Sequence, residues 1–99
     1  MSEKATLVVT AVPNPSEMES VQGYLHGVMP LLMGAGGTLV RRLKISKVVN
    51  GRPAGMVLVM DFESADAVTA MFDSDDYRAL IPARDKGFAE MNILIAQPM

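Results

Sequence analysis

The sequence predicts an α+β fold in which strands and helical segments follow the order β-α-β-β-α-β. Four runs rich in β-branched and apolar residues predict the strands. Stretches with apolar residues at helical spacing separate the first run from the second and the third from the fourth. This order is the ferredoxin-like plan, a four-stranded antiparallel sheet in which right-handed crossovers place the helices on one face.

The first strand is predicted over Thr6 to Val12, a β-branched and apolar run that Pro13 stops. Asn14 is placed to cap the first helix, with Pro15 at its first position. Glu17 is spaced to complete a capping box with Asn14.

The first helix is predicted from one apolar stripe and ends at the glycine-rich segment 34–37. Pro30 removes the backbone hydrogen bond to the carbonyl of His26, which predicts a kink. The stripe consists of Met18, Val21, Leu25, Val28, Met29 and Leu32.

The second and third strands are predicted to form a hairpin. Thr38 to Val49 is the outgoing strand, with a basic middle, and Gly55 to Phe62 is the returning one. Asn50-Gly51 between them is the strongest short hairpin signal in the chain.

The last third of the chain is predicted to hold two capped helices and the final strand. Ser64 caps a helix that runs to about Phe72, and Ser74 caps a third, shorter helix. Met91 to Ala96 is the last strand.

Both faces of the predicted sheet are apolar. Leu7 and Val9 point one way and Val8 the other, and Val57 and Val59 alternate with residues that are equally apolar. An antiparallel sheet with one wet face should alternate apolar with polar residues. A second copy of the chain is the economical cover, so the sequence predicts a homodimer with its two sheets packed together.

Composition excludes several classes of function. The 99 residues fit one domain, residues 1–99, which buries only roughly 60–65% of its unfolded surface. The chain has no cysteine and one histidine, which excludes disulfides, thiolate metal sites and a multi-histidine site. Carboxylate-rich metal sites stay open, but we predict no metal and no cofactor. A net charge of −2 gives no general attraction to nucleic acid or a membrane surface. Without a signal-peptide pattern or an apolar run near ~20 residues, we expect a cytoplasmic protein with no membrane partner.

The segment Ser74-Asp-Asp-Tyr77-Arg-Ala-Leu-Ile-Pro82-Ala-Arg84, followed by an apolar strand, resembles the domain of unknown function 1330 family. Val28-Met-Pro30, Gly36-Gly37 with Arg41-Arg42 after it, and Asp61-Phe62-Glu63 are also similar to the family pattern. The family belongs to the dimeric α/β-barrel superfamily, which also contains cofactor-independent monooxygenases. The resemblance covers nearly the whole chain and implies a dimeric barrel, without implying an activity.

Tyr77 and Arg84 are the first candidates for a ligand site. They are seven residues apart, two helical turns, and share a face if the helix tolerates Pro82. A phenol and a guanidinium together can bind a carboxylate or phosphate. The alternative, which we favour, is that Tyr77 packs over the sheet and that Arg84 hydrogen-bonds the backbone or pairs with an acidic residue.

His26, Asp61 and Arg41 are the remaining candidates. His26, at the edge of the apolar stripe, is the one weak candidate for acid–base catalysis, although a lone histidine is more often a boundary residue. Asp61 lies in an apolar run, where burial would favour its protonated form. The favoured alternative pairs Asp61 with Arg41 or Arg42 on the neighbouring strand.

Five of the nine basic residues fall on the predicted hairpin: Arg41, Arg42, Lys44, Lys47 and Arg52. No aromatic residues are interleaved with them to stack on bases, so nucleic acid is not an expected partner. Protection of an edge strand by charge is the favoured interpretation.

The leading functional hypothesis is a homodimer that binds a small organic ligand between helices and sheet, beside His26, Tyr77 and Arg84. The alternative is a cofactor-independent, monooxygenase-like enzyme acting on a small apolar substrate, with His26 as its base. The sequence leaves open whether the protein is an enzyme.

Overall fold

The computed structural model describes residues 4–99 and contains the predicted sheet. The strands are β1 (Ala5–Pro13), β2 (Thr38–Lys44), β3 (Met56–Phe62) and β4 (Phe88–Ala96). Their order across the sheet is β2-β3-β1-β4, and every neighbouring pair is antiparallel. The predicted α+β, ferredoxin-like arrangement is therefore confirmed.

The helical segments are a 3-10 turn (Pro15–Glu17), α1 (Met18–Gly34), α2 (Ala65–Phe72), α3 (Asp75–Arg78) and α4 (Ile81–Gly87). Ser64 caps α2 as predicted, its hydroxyl oxygen accepting from the backbone N–H of Ala67 at 3.1 Å. The segment after Ser74 forms two short helices, because Pro82 has no N–H to donate and lies in the first turn of α4, where none is needed.

The start of the first helix differs from the prediction. Asn14 Oδ1 accepts from the backbone N–H of Ser16 at 3.1 Å and caps the 3-10 turn. The capping box is wrong, because the backbone N–H of Asn14 donates to the Gly87 carbonyl at 2.8 Å and is not available to Glu17. The Glu17 carboxylate instead lies 3.7 Å from Lys86 Nζ.

The first helix continues past Pro30 to Gly34 and ends in a glycine motif. The N–H of Gly37 donates to the Leu32 carbonyl and that of Gly36 to the Met33 carbonyl, both at 3.0 Å. Gly36 has φ +92, which favours glycine at that position.

The hairpin between β2 and β3 is present, but its predicted turn is wrong. Strand β2 ends at Lys44, five residues before Val49, and residues 45–55 form a long connection. One further backbone bond, from Ile45 N–H to the Gly55 carbonyl at 2.9 Å, extends the ladder. Pro53 lacks the N–H that a continued ladder would use at its position.

The core lies between the helices and one face of the sheet. Odd-numbered residues of β1 and even-numbered residues of β3 point to this side, and the buried pair Leu7 and Met60 stand opposite each other. Leu32 from α1 and Val68 from α2 are also fully buried. Complete burial of such side chains contributes roughly 1.5–3 kcal/mol each.

The buried face of α1 differs from the predicted apolar stripe at two residues. Val21, Val28 and Leu32 are buried, while Met18 at the start of the stripe is 44% exposed. Tyr24, which the predicted stripe omitted, is buried.

The opposite face of the sheet carries apolar residues without cover from residues 4–99. Val8, Val57 and Val59 are half-buried near its centre. Leu43 and Leu94 on the flanking strands are 45% and 53% exposed. Among residues 4–99 no helix is long and apolar enough to cross a membrane.

Candidate functional site

A serine cap fixes the position of Tyr77. The hydroxyl oxygen of Ser74 accepts from the backbone N–H of Tyr77 at 3.2 Å, as predicted for the cap of α3. The same hydroxyl donates to the Met71 carbonyl at 2.6 Å. One side chain therefore joins the end of α2 to the start of α3 and directs Tyr77 into the interior.

Helix α4 brings Arg84 to the Tyr77 side chain. Arg84 Nη1 donates to Tyr77 Oη at 3.1 Å, so the two side chains meet as expected. The single helix on which that expectation depended is divided into α3 and α4. Arg84 Nε donates to Asp85 Oδ1 at 3.1 Å. The guanidinium carbon also lies 5.9 Å from the centre of the Tyr77 ring.

Tyr24 completes this group, and sequence reasoning missed it. Its Oη lies 2.9 Å from Tyr77 Oη, and the two residues are only 4% and 3% exposed. The available signal was helical spacing, because Tyr24 follows Val21 by three residues and precedes Val28 by four. We call Tyr24 and Tyr77 the tyrosine pair.

Aromatic neighbours hold both rings of the tyrosine pair. Phe72 packs against Tyr77 at 4.8 Å between ring centres, and Phe88 against Tyr24 at 5.6 Å, both in edge-to-face geometry. Such contacts stabilise beyond simple burial and restrict ring rotation. The two hydroxyl groups are thus held in position.

The tyrosine pair has one hydroxyl proton more than its hydrogen bonds use. Tyr77 Oη accepts from Arg84, and one proton lies between Tyr77 and Tyr24. A chain in which Arg84 donates to Tyr77 and Tyr77 donates to Tyr24 is cooperative and is favoured. The Tyr24 O–H then has no acceptor among residues 4–99.

Tyr24 and Arg84, the two ends of this chain of hydrogen bonds, keep their protons near neutral pH. Burial, together with the hydrogen bond to Tyr77, raises the pKa of Tyr24 far above that of free tyrosine. Partial burial works to lower the pKa of Arg84, but its hydrogen bonds with Tyr77 and Asp85 outweigh this and raise it. The site therefore presents a neutral O–H donor beside a fixed cation.

An apolar cleft lies between α1 and the sheet beside Tyr24. It has a volume of about 30 Å³, room for roughly two water molecules, and its lining includes Tyr24, Phe88 and Met91. A larger open groove of about 600 Å³ adjoins it. Four apolar residues line both: Leu25, Met29, Met56 and Leu58.

The other predicted site residues lie apart from the tyrosine pair. His26 is exposed and lines the open groove. Arg41 is exposed on β2 opposite Val59, on the sheet face away from the helices. Asp61 is exposed and accepts from Thr6 Oγ1 at 2.8 Å, so the predicted pairing of Asp61 with an arginine of the neighbouring strand is wrong.

Tyr77, Arg84 and His26 do not share one cavity. Arg84 lines a separate surface depression with Phe88 and Met91. Within residues 4–99 no group of three or more histidine, cysteine, aspartate or glutamate side chains is arranged to hold a metal ion. Among residues 4–99, the tyrosine pair therefore has one O–H donor without an acceptor, which is the chemistry that an uncharged oxygen atom would need.

The fold and the site define the chain as a ferredoxin-like α+β protein with a tyrosine pair buried under its helices, and solved structures share that fold. A protein of unknown function from Rhodopseudomonas palustris superposes with a TM-score of 0.83 at 14% identity, covering 100% of this chain and 85% of that one. A dabb family protein with a ferredoxin-like fold from Mesorhizobium loti gives 0.71 at 16% identity, covering 97% of each.

A dimeric protein of unknown function with a ferredoxin-like fold from Bacteroides fragilis gives a TM-score of 0.62 at 8% identity, covering 96% of each chain. Comparison with curated proteins gives no match. The chain belongs to the family described as "Domain of unknown function (DUF1330)", whose family model matches residues 5–99. The resemblance of the sequence to this family is therefore confirmed.

Proposed function

We propose that this protein binds a small, largely apolar organic molecule between α1 and the sheet, with an oxygen atom of that molecule accepting a hydrogen bond from Tyr24. The observation that carries the proposal is the hydroxyl proton of the tyrosine pair that finds no acceptor among residues 4–99. A buried donor left unpaired costs about 1–3 kcal/mol. A carbonyl or hydroxyl oxygen of a ligand would remove that cost.

The shape of the cavity supports a ligand of modest size. The groove of about 600 Å³ lies within the range of roughly 300–1,000 Å³ that ligand pockets occupy. The adjoining cleft is narrow, so the ligand would have to widen it to reach Tyr24. Methionine side chains are flexible enough for this, and Met29, Met56 and Met91 line the cleft.

The proposal is tested with a C10 methyl ketone, 2-decanone, whose carbonyl can accept one hydrogen bond. We expect it to bind and to raise the thermal midpoint of the protein. Tyr24→Phe keeps the ring and removes the O–H, so it should weaken binding roughly fivefold, the equivalent of one neutral hydrogen bond. Thr69→Val is the control, because it removes a hydroxyl from the exposed side of α2.

Two results would count against ligand binding. The first is an absence of any thermal shift with C6–C12 ketones, aldehydes and esters, together with only the unliganded mass when the purified protein is measured in its native state. The second is equal affinity of the parent and Tyr24→Phe for 2-decanone, which would remove Tyr24 from the site.

The proposal includes a homodimer in the cytoplasm, in which the uncovered faces of two sheets pack together as a dimeric α/β barrel. Support comes from the half-buried Val8, Val57 and Val59, with the exposed Leu43 and Leu94 beside them. An apolar face of this kind commonly marks a protein interface. Sedimentation at micromolar concentration should give twice the chain mass of 10.6 kDa, and a monomer mass would refute the dimer.

A further inference from the structure

The walls of the open groove carry basic side chains above an apolar floor. Arg42 reaches it from β2 and His26 from α1, while Met56 and Leu58 form the floor. Arg42 stands opposite Leu58 in the sheet register and therefore lies on the helix side. Lys44, two residues further along the same strand face, lines the adjoining surface depression together with Arg42.

These basic groups have no acidic partner in the described part of the chain. The ion pairs among residues 4–99 use Lys4, Arg52, Arg78, Arg84 and Lys86. The groove lining contains no aspartate or glutamate. Within residues 4–99, the positive charges of Arg42 and Lys44 at the entrance to the apolar cleft therefore have no compensating carboxylate.

We propose that the ligand is an amphipathic acid, with a carboxylate at the groove and a second oxygen at the tyrosine pair. This inference rests on the proposed function and adds the class of the ligand. The Arg42 guanidinium presents paired N–H donors that suit a carboxylate. The apolar middle of the molecule lies along Leu25, Met29, Met56 and Leu58, which line both cavities. The tyrosine pair then binds a carbonyl or hydroxyl oxygen at the other end.

Protection of an edge strand is the competing explanation of the charge. Strand β2 lies at the edge of the sheet, and charged residues on such strands prevent pairing with another chain. Edge protection requires only that the strand carries charge, and it predicts no preference of the protein for a ligand with a carboxylate. The two explanations therefore differ in what happens when a ligand gains or loses a carboxylate.

The test compares 9-oxodecanoate with 2-decanone, which have the same methyl ketone and differ in a terminal carboxylate. We expect the parent protein to bind the acid roughly fivefold more tightly at low salt, near the upper range for an exposed ion pair, and the preference to fall as salt is added. Arg42→Gln should remove most of the preference, so that the acid and the ketone bind with similar affinity.

Arg41→Gln is the matched control, since it makes the same charge change on the adjacent residue of the opposite sheet face. It should keep the preference for the acid. Equal binding of both probes by the parent would overturn the carboxylate site and leave the proposed function standing. A preference that survives Arg42→Gln, with only solubility or self-association altered, would assign Arg42 to edge protection. Failure of both probes to bind would refute the proposed function as well.

Discussion

Replacing Tyr77 with phenylalanine would remove the one oxygen atom that takes part in both hydrogen bonds of the buried chain. The bonds join Tyr77 Oη to Tyr24 Oη at 2.9 Å and to Arg84 Nη1 at 3.1 Å. The ring contact with Phe72 would be kept, because phenylalanine has the same ring. The substitution thus tests the polar chain and not the aromatic packing.

The two lost bonds differ in cost. Tyr24 is 4% exposed, and its hydroxyl would have no partner left among residues 4–99, which costs about 1–3 kcal/mol. The Arg84 side chain is 27% exposed, so water can replace its lost partner at little cost. We therefore expect Tyr77→Phe to lower the free energy of unfolding by about 2 kcal/mol.

Tyr24→Phe should cost less, about 1 kcal/mol, because only the bond between the two hydroxyl groups is lost. The unpaired proton moves from Tyr24 to Tyr77, and Tyr77 keeps its bond with Arg84. The double variant removes both partners together, so its cost should fall below the sum of the single changes by roughly 1 kcal/mol.

Urea unfolding followed by circular dichroism, at one fixed chain concentration, measures all three differences. Thermal midpoints should fall by about 4–8 °C per kcal/mol in a chain of this length. A Tyr24→Phe cost equal to or larger than that of Tyr77→Phe would refute the assignment of Tyr77 as the central member. Strict additivity of the two changes would refute their coupling.

Three further outcomes follow from the structure. Above about pH 10 the free energy of unfolding should fall, because burial raises the pKa of Tyr24 and its hydroxyl ionises there only in the unfolded chain. Below that pH the contribution of Tyr24 to stability is constant. Urea titrations from pH 8 to 11 should therefore show a smaller loss of stability for Tyr24→Phe than for the parent protein. Gly37→Ala should destabilise the protein by about 1–3 kcal/mol, since the new Cβ atom would lie 2.8 Å from the Leu32 carbonyl oxygen. Gly23→Ala, where a Cβ atom meets open space within α1, should stabilise the protein by about 0.5–1 kcal/mol. Equal shifts of the urea midpoint in the two variants would contradict this. Val59→Lys should give a monomer near 10.6 kDa in sedimentation, and a dimer of unchanged stability would exclude the uncovered face as the interface.

The order of strands and helices along the chain was predictable, because it depends on short-range patterns. The sheet face that packs against the helices was not predictable, because both faces are apolar in the sequence. β-branched runs predicted the strands, and serine caps predicted the starts of α2 and α3. The connection between β2 and β3 was not predictable from Asn50-Gly51, because backbone bonds elsewhere decide its path. The Gly55 N–H donates to the Ala11 carbonyl at 2.8 Å, so β1 fixes where the returning strand begins.

The site was predictable only where it lies within one segment. Tyr77 and Arg84 are seven residues apart, and their side chains meet although the one helix assumed for them is divided into α3 and α4. Tyr24 is 53 residues away from Tyr77 in sequence and meets it only through the packing of α1 against α3 and α4. His26 carried the enzymatic alternative, but it is exposed and lies outside the tyrosine pair, so binding is the function that we propose.

The tyrosine pair also makes the protein a spectroscopic reporter of its own site. The chain has no tryptophan, and Tyr24 and Tyr77 are its only tyrosines. Phenol groups absorb and emit at roughly 280–300 nm. Nearly all of the signal of this protein in that range therefore comes from Tyr24 and Tyr77, whose hydroxyl groups are in contact. A molecule that enters the cleft would alter this signal directly, without any label, and a change in ultraviolet fluorescence could be assigned to the pair with no background from elsewhere in the chain.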